Sequence, residues 1–203
     1  MIAIQKATIN EIDAIVSVHE AAFPDFFLTQ LGTAFLRLYY KSVMNHNDGV
    51  LLVCKMDGGT IGLCAGTVLS AGFNTKLIKA NLFQFGWESM KILFTKPKAL
   101  IHLMKNMSKE DSTVGDDGKY AELLSIAVDP KVQRSGAGKA MLLELEKVIK
   151  EKGGVELSLT TDYVDNDKAV SFYKSLGYEP WYDFVTYPNR RMWRMMKVLK
   201  QDK

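Results

Sequence analysis

The chain is short of the residues that would staple it together. Its 203 residues contain two cysteines, Cys54 and Cys64, ten positions apart and with no histidine pair near them. That excludes a disulfide framework and gives no support to a zinc site, so both thiols are expected to be reduced and structural, and no metal is expected. Charge of one sign is equally scarce. Lys and Arg number 26 against 23 Asp and Glu, a net charge of +3, which falls far short of the dense basic stripe of a nucleic-acid-binding domain. Long hydrophobic runs are missing too. Residues 77–94 are rich in large apolar side chains, yet nothing approaches the roughly 18 uncharged apolar residues of a membrane-spanning helix. The opening Met-Ile-Ala-Ile-Gln-Lys, followed by Glu11 and Asp13, lacks the basic start and apolar core of a signal peptide, and a cytoplasmic location is expected.

What remains is an ordinary globular composition, 47% hydrophobic and 24% charged. The length is generous for one domain and tight for two, which predicts one core plus an addition.

Hydrophobic periodicity places the elements. Ile2, Ile4 and Ala7 alternate as a strand. Thr8 or Asn10 can cap a helix with Ile12, Ile15, Val16, His19 and Phe23 on one stripe, and a second helical pattern runs from about Thr29 to Tyr40. Val50 to Lys55 and Thr60 to Leu69 read as strands joined by the hairpin signal Met56-Asp57-Gly58-Gly59. Residues 70–119 then turn helical and amphipathic, with a new helix expected from about Lys96 to Met107 and a mobile polar loop over Ser108 to Lys119. A strand returns at Ala121 to Val128. A helix follows Gly136-Ala137-Gly138, with Met141, Leu142, Leu145, Val148 and Ile149 on one face. Val155 to Thr160 is a strand, Asp165 or Asn166 can cap a helix ending at Gly177, and two more strands cover Tyr182 to Tyr187 and Arg191 to Leu199.

The most informative stretch is strand, then Gln133-Arg134-Ser135-Gly136-Ala137-Gly138, then helix. Its glycines let backbone approach a ligand closely, and the helix N-terminus offers unpaired N–H groups with a partial positive charge, a combination suited to pyrophosphate. Two other phosphate motifs fail at specific residues. A P-loop would need an earlier glycine and a hydroxyl where Ala140 stands, and a dinucleotide fingerprint would need a small residue where Met141 stands.

The stretch resembles the acyl-CoA pyrophosphate loop of the GNAT N-acetyltransferase superfamily, Gln/Arg-x-x-Gly-x-Gly/Ala, through Gln133, Gly136 and Gly138. Ser125-Ile126-Ala127-Val128-Asp129-Pro130 looks like the family's central strand, and Asn166-x-x-Ala169-x-x-Phe172-Tyr173-x-x-Leu176-Gly177-Tyr178 like its later helix motif. The resemblance is loose over residues 1–69, good over 120–199, and absent over 70–119. It implies an α/β fold of the α+β kind, with a mixed, mostly antiparallel central sheet flanked by helices. It also implies a single acetyltransferase domain over 1–203, carrying a helical insertion at about 70–119.

It further implies acetyl-CoA as cosubstrate. The central strand would splay from its neighbour so that backbone at Ile126 and Val128 pairs with the pantetheine arm, and an N–H of this strand would face the thioester oxygen. Gln133, Arg134, Ser135, Gly136, Ala137, Gly138 and Lys139 would hold the pyrophosphate, and Asn166 would bond the pantetheine arm or merely cap its helix. Glu122 stands where relatives carry a base that takes the amine proton, directly or through water, or is a strand-end carboxylate facing solvent. Tyr173 matches a tyrosine that protonates the departing thiolate, or only packs beside Phe172 and Leu176. Asp129, His19 and His46 are weaker candidates.

The acceptor lies outside these motifs. A small-molecule primary amine, such as an amino sugar or its nucleotide conjugate, is expected, with the aromatic segment Ala22 to Leu28 either stacking on it or forming a buried turn. The alternatives are the N-terminal amine of a ribosomal protein and a non-catalytic CoA-binding module. The apolar helical pair also suggests a homodimer contact.

Overall fold

The sheet grows from the hairpin. In this computed structural model, which describes residues 2–95, 97–98, 101, 105, 114–132 and 135–200, with backbone alone at 91 and 93–95, β2 (Gly49–Met56) pairs antiparallel with β3 (Gly59–Thr67). Asp57 and Gly58 stand at φ of 51° and 83°, the positive values that a tight two-residue turn demands. β1 (Ile2–Lys6) lines the far side of β2, and β4 (Ala121–Val128) lies beyond β3. Next come β5 (Glu156–Asp162), β7 (Arg190–Val198) and β6 (Glu179–Thr186), completing a seven-stranded sheet in the order β1-β2-β3-β4-β5-β7-β6. All neighbours are antiparallel except β4 and β5.

Helices cover both faces, as the sequence predicts. α1 (Ile12–Ala22) and α3 (Thr33–Asn45) lay Ile15, Val16, Leu36, Tyr40 and Val43 onto one face, meeting Leu51, Val53, Leu63 and Ala65 of the sheet. On the other face α6 (Ala137–Glu151) presents Met141, Leu142, Leu145 and Ile149, and α7 (Asp167–Ser175) adds Tyr173. Gly66 lets α6 come close: a Cβ there would lie 2.9 Å from Leu145 and 3.1 Å from the Glu122 carbonyl.

Three segments differ from the sequence reading. The helix expected from Thr29 to Tyr40 is broken at Gly32, whose φ of 99° ends α2 (Phe27–Leu31) before α3 begins. The apolar run after residue 70 is likewise two helices, α4 (Phe73–Ala80) and α5 (Leu82–Thr95). Between them Asn81 donates its side-chain amide to the Leu77 carbonyl at 3.1 Å, a local bond that competes with the helical ladder. The polar stretch before β4 is anchored over Val114–Lys119: the Asp116 carboxylate accepts from the Gly118 amide at 2.9 Å, from the Tyr120 hydroxyl at 2.6 Å and from the Tyr182 hydroxyl. Most of the helix expected from Lys96 to Met107, and the loop before Val114, lie outside the described residues. No helix among the described residues is long and apolar enough to cross a membrane.

His19 is fully buried under α3, with Nδ1 2.6 Å from the Tyr40 hydroxyl and Nε2 without a partner among the described residues. Burial pushes its pKa down from 6.5 to about 4, so the folded protein keeps the ring neutral where an unfolded chain would already take up the proton.

Two outcomes follow. Gly66→Val, which forces α6 off the sheet, lowers stability by about 1–3 kcal/mol in urea unfolding. The melting temperature falls as pH drops from 6.5 toward 4, because the unfolded state binds the additional proton at His19, and His19→Gln flattens that slope.

Candidate active site

β4 parts from β5 halfway along its length. Their parallel pairing covers Ala121, Glu122 and Leu123 against Leu157, Ser158 and Leu159, and stops there, while β5 runs on to Asp162 paired with β7 on its other side. A bulge coincides with the parting. Gly66 of β3 faces Leu123 and Ala65 faces Ser125, leaving Leu124 as the additional residue. Leu124 and Ala127 therefore pack toward α1 and α3, and Ile126 and Val128 toward α6. From Leu124 to Val128 the β5-side edge of β4 faces a wedge, and backbone there is available to an extended ligand.

The foot of the wedge is the start of α6. Gly136 occupies its N-cap in the left-handed region at φ 81°, and no side chain caps the helix. The first intrahelical bond there runs from the Ala140 amide to the Gly136 carbonyl at 3.0 Å, so the amides of Ala137, Gly138 and Lys139 precede the ladder. The Ala137 methyl is core, leaving its amide as the functional group, whereas Ser135, Gly136 and Lys139 are exposed. A Cβ at Gly138 would sit 3.9 Å from Phe172 and 4.0 Å from Val128, which brings α6, α7 and β4 together at this point. Gln133 and Arg134 lie outside the described residues. Free amides, a left-handed glycine and an open strand edge fit an acyl-CoA with its pyrophosphate at the helix N-terminus.

Asn166 precedes α7 without capping it. Its side-chain amide donates instead to Thr161 Oγ1 at 2.6 Å and to the Asp162 carbonyl at 3.2 Å, at the end of β5. Tyr173, 9% exposed, packs edge-on to Phe172 and Tyr178, and its hydroxyl has no hydrogen-bond partner among the described residues. Burial raises its pKa to about 12; the phenol stays protonated at neutral pH and can donate.

Above the wedge, on the α1 and α3 side, opens a cleft of about 710 Å³. Phe23, Phe26 and Phe27 form one wall, Phe184, Tyr187 and Met192 another, and Glu122 to Leu124 the floor. The aromatic segment before α2 is thus cleft wall. Asp162 holds Arg190 at the rim in a two-pronged pair, 2.5 and 2.6 Å.

Glu122 does not face bulk solvent. Its Oε1 accepts from Arg194 Nη1 at 2.7 Å and its Oε2 from Ser70 Oγ at 2.5 Å. Arg194, 9% exposed, also reaches Ser158 at 3.4 Å, and its Nε lies 3.8 Å from Asp116. Burial works against the arginine's charge, but the Glu122 carboxylate beside it outweighs burial and holds the guanidinium protonated. For Asp116 burial is likewise the largest single influence, yet bonds from Tyr120, Tyr182 and the Gly118 amide, with the Arg194 charge, hold its carboxyl below the usual range. Sequence reasoning missed Arg194, Asp116 and Ser70. The signal for Arg194 was present: Arg190, Met192 and Arg194 share one strand face, and a cation inside that period-two pattern needs a buried partner. Asp129 heads a turn, its carboxylate accepting from the Lys131 amide at 2.9 Å.

Arg194→Met leaves Glu122 and Asp116 without their shared cation and costs about 3 kcal/mol or more in denaturant unfolding. An unchanged midpoint would show that the two acids are not desolvated.

Comparisons with known proteins agree with this geometry. The mycothiol acetyltransferase of Kocuria rhizophila is 36% identical over 73 residues, 36% of this chain, and the match spans only 24% of that protein. An N-acetyltransferase from Staphylococcus aureus Mu50 superposes with a TM-score of 0.65 at 14% identity, covering 98% of this chain and 99% of that one. The ribosomal-protein-S18-alanine N-acetyltransferase from Escherichia coli gives 0.63 at 15%, with 100% and 97% coverage. The PaiA N-acetyltransferase from Thermoplasma acidophilum, solved in complex with coenzyme A, gives 0.55 at 16%, with 98% and 99% coverage. At these identities the structures share a fold. The sequence also matches the Acetyltransferase (GNAT) family over residues 12–178. With that span enclosing the wedge, the α6 amides and Tyr173, the chain belongs to the GNAT family of acetyltransferases, enzymes that take their acetyl group from acetyl-CoA.

Proposed function

We propose that the chain transfers the acetyl group directly to the primary amine of a small molecule held in the aromatic cleft. The observation that carries this reading is the meeting of two spaces: the cleft floor, Glu122 to Leu124, is also where β4 leaves β5. A volume near 710 Å³ suits a ligand of drug size. An amino sugar or its nucleotide conjugate fits the aromatic walls. The exposed Asp25 carboxylate at the rim has no side-chain partner among the described residues and can receive an ammonium.

Bound acetyl-CoA supplies the activated acetyl thioester. Backbone of β4 at Ile126 and Val128 aligns the pantetheine arm, with Asn166 bonding it from the far side of the wedge. Gln133 through Lys139, chiefly by the amides of Ala137, Gly138 and Lys139, hold the pyrophosphate. Glu122 takes the amine proton, directly or through water. Arg194 and Ser70 fix the carboxylate but use only one lone pair on each oxygen. The Tyr173 phenol donates to the departing thiolate. The helical segment from about 70 to 119 is an insertion within this single domain, and α4 lends Asn74 to the cleft lining. Buried, reduced Cys54 and Cys64 suit work in the cytoplasm.

Acetyl-CoA should raise the melting temperature by linkage. In a CoA-release screen across amino sugars, nucleotide amino sugars, polyamines, aminoglycosides and a ribosomal N-terminal peptide, a small amine should turn over fastest. Tyr173→Phe and Glu122→Gln should each lower kcat by about 10² or more. Turnover of the peptide alone would move the acceptor to protein. Binding of acetyl-CoA with no turnover of any amine, in wild type and variants alike, would leave a CoA-binding module.

A further inference from the structure

The two ends of the 70–119 segment run side by side. The Ser70 amide donates to the Tyr120 carbonyl at 2.8 Å and the Ala71 amide to the Gly118 carbonyl at 2.9 Å. Gly118 permits the close approach, since its φ is 66° and a Cβ there would lie 3.1 Å from the Ala71 backbone. The strands that the segment connects, β3 and β4, meet at the same place, where Thr67 pairs with Glu122.

Each end brings one polar side chain toward Glu122. From the first, Ser70 Oγ donates to Glu122 Oε2 at 2.5 Å. From the second, Asp116 Oδ2 lies 3.8 Å from Arg194 Nε, and Arg194 Nη1 in turn donates to Glu122 Oε1 at 2.7 Å. The side chains of Asp116, Arg194 and Glu122 are all mostly buried, so solvent screens their attraction only weakly. Arg194 Nε has no hydrogen-bond partner among the described residues, and Asp116 supplies the negative charge opposite it. Asp116 is itself pinned by the Gly118 amide and by the Tyr120 and Tyr182 hydroxyls. With an acid on each side the guanidinium is held in place, and Glu122 receives one donor on each oxygen.

We propose that Ser70 and Asp116 are positioning residues for acetyl transfer: Ser70 orients Glu122 directly, and Asp116 does so through Arg194. The segment's ends thereby set the geometry of the base while contributing no atom to the chemistry. A base takes a proton only from within hydrogen-bond reach, and a misplacement of about 1 Å can cost about 10² in rate. Two donors that fix the carboxylate therefore bear on rate more than on cosubstrate binding, which uses the β4 edge beyond Leu123 and the α6 amides. The inference rests on the reading of Glu122 as the base; it does not depend on which amine is the acceptor.

A double-mutant cycle on kcat tests it, run by CoA release with whichever amine of the panel above turns over fastest. Ser70→Ala and Asp116→Asn should each lower kcat by about tenfold or more and leave the KM for acetyl-CoA within about twofold. Ser70→Thr, which keeps the hydroxyl, should restore most of the rate. In a Glu122→Gln background the same two substitutions should add less than about twofold, because nothing is left for them to position. Where Asp116→Asn does not fold, Tyr182→Phe, which removes one donor from Asp116, takes its place in the cycle. Losses that multiply with that of Glu122→Gln, or a lowered melting temperature at unchanged kcat, overturn the inference and leave Ser70 and Asp116 structural while the base stands. Full kcat in Glu122→Gln itself, or no turnover of any panel amine, removes the base and this inference with it.

Discussion

The parting of β4 from β5 after Leu123 is the constraint on which the rest of the molecule depends. A sheet interior normally satisfies every backbone N–H and C=O, and leaving several unpaired is costly. Here the gap is enforced by what surrounds it. β5 is committed along its whole length to β7, from Glu156 to Asp162, and cannot follow β4. The bulge at Leu124 interrupts the β3 register at the same point. Opposite it, Gly66 lets α6 pack closely on β3. The wedge is thus a property of the folded framework, and it leaves a strand edge on which an extended ligand could complete the ladder.

A second organising feature stands at the mouth of the wedge. Arg194 on β7 draws in Glu122 from β4, Ser158 from β5 and Asp116 from the segment before β4, while Ser70 fixes the remaining oxygen of Glu122. One buried cation between two acids leaves local charge close to balance only if other donors share the load. The Tyr120 and Tyr182 phenols do so at Asp116. Arg194 and Ser70 each take one lone pair of the Glu122 carboxylate, which stands among the residues lining the aromatic-walled cleft.

The parts of this architecture that were legible in the sequence share a short range. Asp57-Gly58 announces its hairpin because a tight turn needs positive φ at adjacent residues, and Gly136 announces the α6 N-terminus for a similar reason. The amphipathic stripes of α1 and α6 depend only on a local period. What escaped was non-local or locally overridden. The breaks at Gly32 and Asn81 interrupt runs whose apolar spacing continues across them. Asp116 sits in a polar, glycine-containing stretch that looks mobile until its partners, Tyr120 and Tyr182, are brought in by strands far apart in the chain. Asn166 carries the composition of a helix cap, yet its amide turns back to β5 because the chain reaches α7 directly from the end of that strand.

The same distinction of range explains why the cosubstrate is readable and the acceptor is not. A pyrophosphate site needs consecutive amides at one helix start, and consecutive residues leave a motif. The aromatic-walled cleft instead takes single side chains from separate stretches: Phe26 before α2, Tyr39 on α3, Asn74 on α4, Glu122 on β4, Tyr187 after β6 and Arg194 on β7. None is unusual where it stands.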